Sequence, residues 1–584
     1  MSLLVVVLVM VVCLTTAYFT YGSLIARLLE LDPNRQTPAV ELRDDVDYAP
    51  IESKFLLSQH FSAIAAAGPI VGPILAGLAF GWLPAMLWIL VGSIFIGGVH
   101  DMTALVASIR HRACSIAEVV RDHMTQRSYL LFLAFVWIAL VYIIVAFTDV
   151  TAGAFVGPAT EENGGVSGGA IASSSLLYLI LPIVMGYLLR YTKLSLGWAT
   201  AIFLPLVGAA IWVGPYIPFD VASLLGIGDP QARKVWDVAL LVYCLVAAVV
   251  PVWLLLQPRG HLGGYFLYLA LAAGGVGLVA GGHPIEYPAF RGWVVDDGHG
   301  HLSSLFPVLF ITIACGACSG FHSMIASGTT SKQLRLETDA KPIGYGAMLL
   351  EALVATISLA CVMMFKEGSP ALASGNPNMI YAQGLANFLE VVHVPKMLAI
   401  SFALMAFTTF VYDTLDVCTR LGRYILQELT GWHGPVGRTV VTALTAGVPL
   451  FFLLRHPVDA KAPVWKMFWG LFGASNQLLA ALTLLGVTVW LWRTRRATWV
   501  WFVTGIPMVF MYTMSTWALI GMTLPKFRGA EGQLLMPTDP VPWVGIVLLV
   551  LAGWMLVEAI LVLLKSFSPR VPPSSDPVPS MAPA

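Results

Sequence analysis

The stretch AAAGPIVGPILAG, residues 65–77, lies inside an apolar run that is long enough to cross a membrane. Pro69 and Pro73 each remove a backbone hydrogen-bond donor, and the glycines before them weaken the helix further. Unwound backbone at membrane depth is tolerated only against protein or beside a water-filled cavity. We therefore predict two half-helices joined by a break at about residues 66–73. A continuous, proline-kinked packing helix is the alternative.

The composition of the whole chain is that of a membrane protein. Of the 584 residues, 58% are hydrophobic and 11% are charged, and the mean hydropathy is +0.81. A helix needs about 20 apolar residues to cross the hydrocarbon core, and such runs recur from end to end. We predict an all-α polytopic membrane protein. Its fifteen spans are expected at about residues 1–21, 54–80, 82–109, 129–150, 172–190, 194–214, 235–256, 262–281, 303–326, 343–366, 394–416, 437–455, 466–492, 498–521 and 541–565.

Basic residues predict how the chain is oriented. With the N-terminus outside, the loops assigned to the cytoplasm, including the one with Arg259, hold most of the 32 Lys and Arg. This is the bias of the positive-inside rule, so we expect the N-terminus outside and the C-terminus in the cytoplasm. The expected regions are a first helix and loop (1–53), a region with both broken helices (54–366), C-terminal helices (367–566) and a disordered tail (567–584).

Several function classes are not indicated. The formal net charge of zero gives no reason to expect a nucleic-acid partner. The chain has no G-x-x-x-x-G-K-[ST] loop and no H-E-x-x-H motif. Cys315 and Cys318 form a C-x-x-C inside a predicted span, where small packing residues are usual. The sequence leaves open whether these two cysteines have any role, and we expect no cofactor and no metal site.

A second break is predicted in the ninth span, at about residues 316–328. Its sequence, ITIACGACSGFHSMIASGTTSKQ, sets glycines among hydroxyl side chains and His322, which suits an open binding site. The two broken spans are seven helices apart, so they cross in opposite directions. Such pairs are used by inverted-repeat secondary transporters, whose free half-helix ends face ions at mid-membrane.

Polar and ionisable side chains inside spans are candidate site residues, because placing them there is costly. For the polar residues of span thirteen, interhelical hydrogen bonding is an equal alternative. For Asp416, an ordinary ion pair with Arg420 at i and i+4 is the alternative. Glu351 is a further candidate, without an assigned role. The expected substrate-binding set is Gly68, Pro69, Gly72, Pro73, Ser319, Gly320, His322, Ser475 and Asn476. The expected coupling-ion set is His100, Asp101, Asp413, Thr414 and Asp416.

At these motifs the sequence resembles the carbon starvation protein A family of bacterial inner-membrane transporters. The similar segments are AAAGPIVGPILAGLAFGWLPAMLWILVGSIFIGGVHDMTALVASIRH, SGFHSMIASGTTSKQLRLETDAKPIGYGAMLLEALVA, DTLDVCTRLGRYILQEL and WGLFGASNQLLAAL. The resemblance implies uptake of peptides or of small carboxylates such as pyruvate when carbon is scarce. It also implies proton coupling, with sodium as the alternative.

The family is grouped with the amino-acid/polyamine/organocation superfamily, which implies an inverted-repeat core like that of the amino-acid/sodium symporters. Two helices near 235–281 are then additional to the shared plan. Sodium-dependent members carry a Thr-Ser-x-Asp pattern whose hydroxyls bind sodium. The similar residues here begin with Asp413, and a carboxylate in place of the first hydroxyl favours a protonatable site.

These expectations combine into an alternating-access importer, not an enzyme. The substrate carboxylate meets the half-helix N-termini, while Asp413 or the pair His100 and Asp101 carries the proton. One alternative is a membrane-embedded metal-dependent enzyme built from His100, Asp101, His322 and Asp413. Another is a starvation sensor without net transport. The sequence leaves the substrate, the coupling ion and the oligomeric state open.

Overall fold

The computed structural model describes residues 2–44, 48–160, 165–251, 253–296, 302–373, 375–432, 434–457, 463–528 and 533–565. The predicted all-α polytopic fold is confirmed. Within these residues, twelve helices are long and apolar enough to cross a membrane: Leu3–Leu28, Trp82–Arg110, Gln126–Ala154, Gly168–Tyr191, Leu196–Tyr216, Leu256–Gly281, Glu337–Met363, Lys396–Thr430, Pro435–Arg455, Val464–Arg495, Trp501–Phe527 and Pro540–Lys565. The predicted disordered tail lies outside the described residues, and the division into four regions stays a prediction.

The predicted count of fifteen spans is not confirmed. A bent pair of helices, Ser53–Ile64 and Gly68–Phe80, supplies a thirteenth span. The span predicted at 235–256 is helix Asp229–Val249, whose first half is charged. The span predicted at 303–326 is divided into short pieces.

The remaining elements are short and connect the long helices. Two three-residue strands, Val294–Asp296 and Leu302–Ser304, pair antiparallel. The short helices are Pro38–Glu41, Ile116–His123, Val221–Leu225, Pro370–Ala373 and Pro377–Glu390.

The first broken helix consists of Ser53–Ile64 and Gly68–Phe80, which meet at an angle of 47°. Residues 65–67 separate them, so the break is shorter than the predicted 66–73. Pro69 lies in the first turn of the second half, where the missing N–H would have no helical partner. Pro73 lies inside that half without ending it.

The second broken helix begins with Leu305–Thr312 and resumes as Phe321–Ile325, which continues into a π-helical turn at Ala326–Thr330. The break therefore occupies residues 313–320, and the predicted limits of 316–328 are wrong. At Gly316 the backbone has φ +89°, a conformation that glycine adopts without steric cost.

Glycines join the two broken helices closely. A Cβ on Gly72 would lie 2.5 Å from the Thr312 carbonyl oxygen, and a Cβ on Gly68 would overlap the Cys315 side chain. Gly68 lies against Cys315, whereas the later Gly72 lies against the earlier Thr312. The two helices therefore run antiparallel, as the span count predicts. The opposite direction of the two broken helices is confirmed.

The second broken helix also packs on helix Val464–Arg495. A Cβ on Gly473 would overlap the Ile311 carbonyl, and a Cβ on Gly320 would overlap the Asn476 carbonyl. Backbone thus lies against backbone on both sides of the second broken helix, which leaves its irregular residues inside protein rather than in lipid.

We expect the replacement Gly72→Ala to destabilise the protein, because its Cβ would meet backbone that cannot rotate away. Overpacking of this kind costs about 1 to 3 kcal/mol, so the unfolding temperature in detergent should fall by several degrees. Gly208→Ala, in a helix where an added Cβ meets nothing within 4 Å, is the matched control. Equal melting of the two variants would contradict the close contact.

Candidate substrate and ion-coupling site

Two histidines and two acids form a fully buried group beside the second break, the histidine–acid cluster of His100, Asp101, His322 and Glu351. His100 Nδ1 lies 2.7 Å from Asp101 Oδ1, and His322 Nδ1 lies 2.7 Å from Asp101 Oδ2. On its other side, His322 Nε2 is 3.2 Å from Glu351 Oε2. The carboxylate of Asp101 therefore orients both imidazole rings.

The same cluster is attached to the broken backbone. The N–H of Gly316 donates to Glu351 Oε1 at 3.1 Å. His60, on the first broken helix, lies nearby and its Nδ1 is 2.8 Å from Thr330 Oγ1 on the second. A backbone group freed by the break thus has a carboxylate partner.

A second group, the arginine cluster, consists of the buried Arg259, Asp413 and Asp416 with the half-buried Tyr243. Arg259 Nε donates to Asp413 Oδ1 at 2.6 Å, and Arg259 Nη1 lies 2.7 Å from Asp416 Oδ2. The Tyr243 hydroxyl donates to Asp416 Oδ2 at 2.8 Å and also contacts the guanidinium. One guanidinium therefore faces two carboxylates, and its own side chain is fully buried.

These contacts correct two expectations. Arg259 is not in a cytoplasmic loop; it lies in the first turn of helix Leu256–Gly281. Asp416 pairs with Arg259, while Arg420 Nη2 donates to the carbonyls of Ala247 and Val250 at 2.7 and 2.6 Å. The i,i+4 pair of Asp416 with Arg420 is therefore not the one formed.

The first broken helix reaches the arginine cluster through Ser62, whose hydroxyl donates to Asp413 Oδ2. Ser62 is three residues before the break at 65–67. Gly263, on the helix of Arg259, allows this approach, because a Cβ there would lie 2.6 Å from Asp413 Oδ2. The carboxylate of Asp413 is thus bound both to a fixed cation and to the end of a half-helix.

Asn476 caps the resumed part of the second broken helix. Its Oδ1 accepts from the N–H of Phe321 at 2.9 Å, and its carbonyl accepts from the N–H of Gly320 at 3.1 Å. Its Nδ2 donates to Ser319 Oγ at 2.9 Å. An uncharged amide therefore satisfies the helix N-terminus in this conformation.

The other predicted residues have local partners. Ser475 and Thr414 each donate to a carbonyl of their own helix. Gly68, Pro69, Gly72 and Pro73 lie on the second half of the first broken helix, where Gly68 and Gly72 contact the other broken helix. The substrate and coupling roles of all these residues stay predictions.

Sequence reasoning missed Arg259, Tyr243, Ser62 and Cys315. Cys315 Sγ lies 3.6 Å from Ser319 Oγ, close to the histidine–acid cluster. The sequence signal for Arg259 was its position between the apolar runs VAAVVPVWLLL and YFLYLALAAGG. That position fits the start of a helix as well as it fits a loop.

Removal of Arg259 should destabilise the protein strongly, because Arg259→Met leaves two carboxylates buried without their cation. Breaking a buried pair in this way costs about 3 to 5 kcal/mol, which a lowered unfolding temperature in detergent will report. Neutralising both acids as well, in Arg259→Met/Asp413→Asn/Asp416→Asn, should recover part of the loss. Arg121→Met, at an exposed pair, is the control and should cost about 1 kcal/mol or less. An Arg259→Met protein as stable as this control would refute the arrangement.

Comparisons with known proteins identify the family. The family model described as Carbon starvation protein CstA matches residues 2–373 and 366–518. The "Pyruvate/proton symporter BtsT" of Escherichia coli K12 is 32% identical over 598 aligned residues, which cover 88% of this chain and 81% of that protein. The "Peptide transporter CstA" of Bacillus subtilis 168 is 29% identical, with 96% and 97% covered.

Solved structures give weaker likenesses. MhsT in complex with L-phenylalanine has 12% identity and a TM-score of 0.46, and covers 89% of this chain and 99% of that one. An Eremococcus coleocola manganese transporter has 15% identity and a TM-score of 0.43, with 90% and 99% covered. The family predicted from the motifs is confirmed by the sequence relatives: this multi-pass secondary transporter belongs to the carbon starvation protein CstA family.

Proposed function

We propose that the chain imports a small carboxylate such as pyruvate, or a short peptide, together with a proton by alternating access. The bacterial inner membrane, with the N-terminus outside, is the proposed location. The relatives named as a pyruvate/proton symporter and as peptide transporters support this substrate class. The observation that carries the proposal is the contact of Asp413 with Ser62 at the end of a half-helix.

The arginine cluster has the charge balance of a proton site. With Asp413 and Asp416 ionised against one guanidinium, the cluster carries one excess negative charge in a fully buried place. Excess charge there is expensive, and one added proton removes it. The Tyr243 hydroxyl contacts Asp416, and the Ser62 hydroxyl contacts Asp413. Protonation of Asp413 would change the bond that holds the first half-helix.

Sodium is a poorer occupant of this cluster. Arg259 nitrogens lie 2.6 and 2.7 Å from the two carboxylates, so a sodium ion bound to the same oxygens would be repelled by a fixed positive charge. The fixed positive charge of Arg259 therefore favours the proton over sodium.

The substrate carboxylate is proposed to bind at the N-terminus of the resumed second half-helix. The Asn476 amide oxygen occupies the acceptor position at Phe321 N–H, and a carboxylate is a better partner for a positive helix end than an amide. Ser319 and His322 flank this position. Opening of the site would let the substrate replace the Asn476 oxygen.

A cavity of about 360 Å³ near the predicted outer face is proposed to collect anions before they reach the site. Arg233 and Lys466 are among its lining residues, together with Asn378. Arg233 is held in place by Asp149, to which its Nε donates at 2.7 Å. Positive charge in a cleft raises the local concentration of anionic substrate.

Symport with a proton also removes the electrical cost of uptake. The membrane potential opposes the inward movement of a monoanion by about 2.3 kcal/mol per 100 mV. A proton carried with it makes the step electroneutral.

The enzyme alternative is less well supported, since Asp413 is bound to Arg259 and not to the group of His100, Asp101 and His322. That group stays a second candidate for the proton.

Uptake of labelled pyruvate into proteoliposomes should rise when an inward proton gradient is imposed. In Asp413→Asn we expect the gradient-stimulated part to fall at least tenfold, because the side chain no longer gains and loses a proton. Exchange of labelled for unlabelled substrate, which needs no net proton movement, should persist.

Asp122→Asn, at an exposed aspartate, is the matched control and should behave as the wild type. Gradient-stimulated uptake that survives in Asp413→Asn would remove this residue from the coupling role. Binding of substrate without any accumulation in the wild type would instead support the sensor alternative.

Asn476→Asp should raise the KM for pyruvate at least tenfold, because a tethered carboxylate then occupies the helix end and repels the substrate. Asn34→Asp, in an exposed segment, is the control of equal charge. Initial uptake rates against pyruvate concentration measure both. An unchanged KM in Asn476→Asp would place the substrate elsewhere.

A further inference from the structure

Three potential metal ligands converge beside the second break. Cys315 Sγ, a nitrogen of His322 and a carboxylate oxygen of Glu351 all lie within 4.8 Å of one another, and all three residues are buried. Zinc bonds of about 2.0 to 2.3 Å place the ligand atoms of a tetrahedral site roughly 3.3 to 3.8 Å apart. The three side chains therefore need only small rotations to bind one ion.

Two of these ligand atoms have no hydrogen-bond partner outside the ligand group. His322 Nε2 and Glu351 Oε2 are fully buried, and neither has an aligned oxygen or nitrogen partner among the described residues. They are 3.2 Å apart without the alignment of a hydrogen bond. Buried polar atoms are normally satisfied, so a ligand between these two atoms would supply what the protein does not.

The surroundings are those of a metal-bound histidine. Asp101 Oδ2 is 2.7 Å from His322 Nδ1, and this contact leaves Nε2 directed towards Glu351. Such carboxylate–histidine–metal arrangements are general at zinc sites. Glu351 is oriented in the same way, because its other oxygen accepts from Gly316 N–H. The outer contacts therefore already hold two ligands in position.

We propose that Cys315, His322 and Glu351 form a binding site for a soft divalent cation of the Zn²⁺ class. Binding converts the Cys315 thiol to a thiolate and releases its proton to the solvent. Thiolate, neutral imidazole and carboxylate then balance the two positive charges of the ion, which suits a buried place. A thiolate selects Zn²⁺, Co²⁺ or Cd²⁺ over Mg²⁺ and Ca²⁺.

The site differs from the one that the C-x-x-C motif would suggest. Cys318 is buried but is not a member of the ligand group. The partners of Cys315 come instead from later in the chain, seven residues on and from helix Glu337–Met363. The ion would tie the second break to that helix and so hold the irregular segment 313–320 in one conformation. This inference does not depend on which substrate is transported.

Co²⁺ is the probe of choice, because thiolate bound to Co²⁺ gives a charge-transfer absorption band in the near ultraviolet. The full-length protein, purified from cells grown with added cobalt, should show this band with about one Co²⁺ per chain by elemental analysis. Zn²⁺ should abolish the band by displacement, whereas Mg²⁺ should not. In Cys315→Ser the band should be lost and Co²⁺ affinity should fall at least tenfold.

Two controls separate this site from others. Cys318→Ser should keep the band, because that thiol is not a ligand. The half-buried His111 and His123 have their Nε2 atoms 2.8 Å apart, and burial, together with the neighbouring His111, lowers the pKa of His123 to about 4. Any Co²⁺ bound by this pair would meet no thiolate, so His123→Ala should leave the band unchanged.

Folding is monitored by the unfolding temperature, and His322→Gln provides a second test that retains the thiol. A wild-type protein without the band, or a band that persists in Cys315→Ser, overturns the proposal. Whether or not the absorption band appears, proton-coupled uptake can be present or absent. The metal proposal and the transport proposal are therefore tested separately.

Discussion

The close antiparallel contact between the two broken helices is the constraint on which the rest of the structure depends. Two interrupted backbones at membrane depth need protein around them, since lipid offers no hydrogen bonds. Gly68 and Gly72 let the first helix approach the second until Gly72 meets the Thr312 backbone and Gly68 meets the Cys315 side chain. The freed backbone groups then depend on polar side chains from neighbouring helices, and those side chains form the candidate site.

The backbone N–H groups freed at the second break have partners of different charge, and the charge of the partner determines the local chemistry. The N–H of Gly316 is bonded to the carboxylate of Glu351, whereas the N–H of Phe321 is bonded to the amide of Asn476. The carboxylate brings charge, and with it the histidines and the thiol that suit a cation. The amide is neutral and can be exchanged for an anion at little cost. The proposed cation and anion sites therefore lie side by side along one break.

The sequence predicted the broken helices better than their limits, and proline explains the difference. Pro69 marked the first break, but it lies in the first turn of the resumed helix, where proline is tolerated. Pro258 likewise lies in the first turn of helix Leu256–Gly281, within the stretch that the predicted spans 235–256 and 262–281 left as a loop. Local sequence pattern does not distinguish a proline that interrupts a helix from a proline that starts one.

Local sequence pattern could not identify ion-pair partners on other helices, for a related reason. The spacing of Asp416 and Arg420 describes one helix alone, while Arg259 reaches Asp413 and Asp416 from another helix at 2.6 and 2.7 Å. Which of two cations pairs with an acid depends on how the helices pack, and no single helix contains that information. The acids could be predicted as important, but their partner could not.

The two polar clusters are attached to different broken helices, and this has a mechanical consequence. The arginine cluster binds the first broken helix through Ser62, and the histidine–acid cluster binds the second through His322 and Gly316. Because Gly68 packs on the Cys315 side chain and Gly72 on the Thr312 backbone, neither helix can shift far without moving the other. In the proposed symport, a charge change in one cluster would therefore act on the geometry of both breaks, which is what coupling of an ion to a substrate requires.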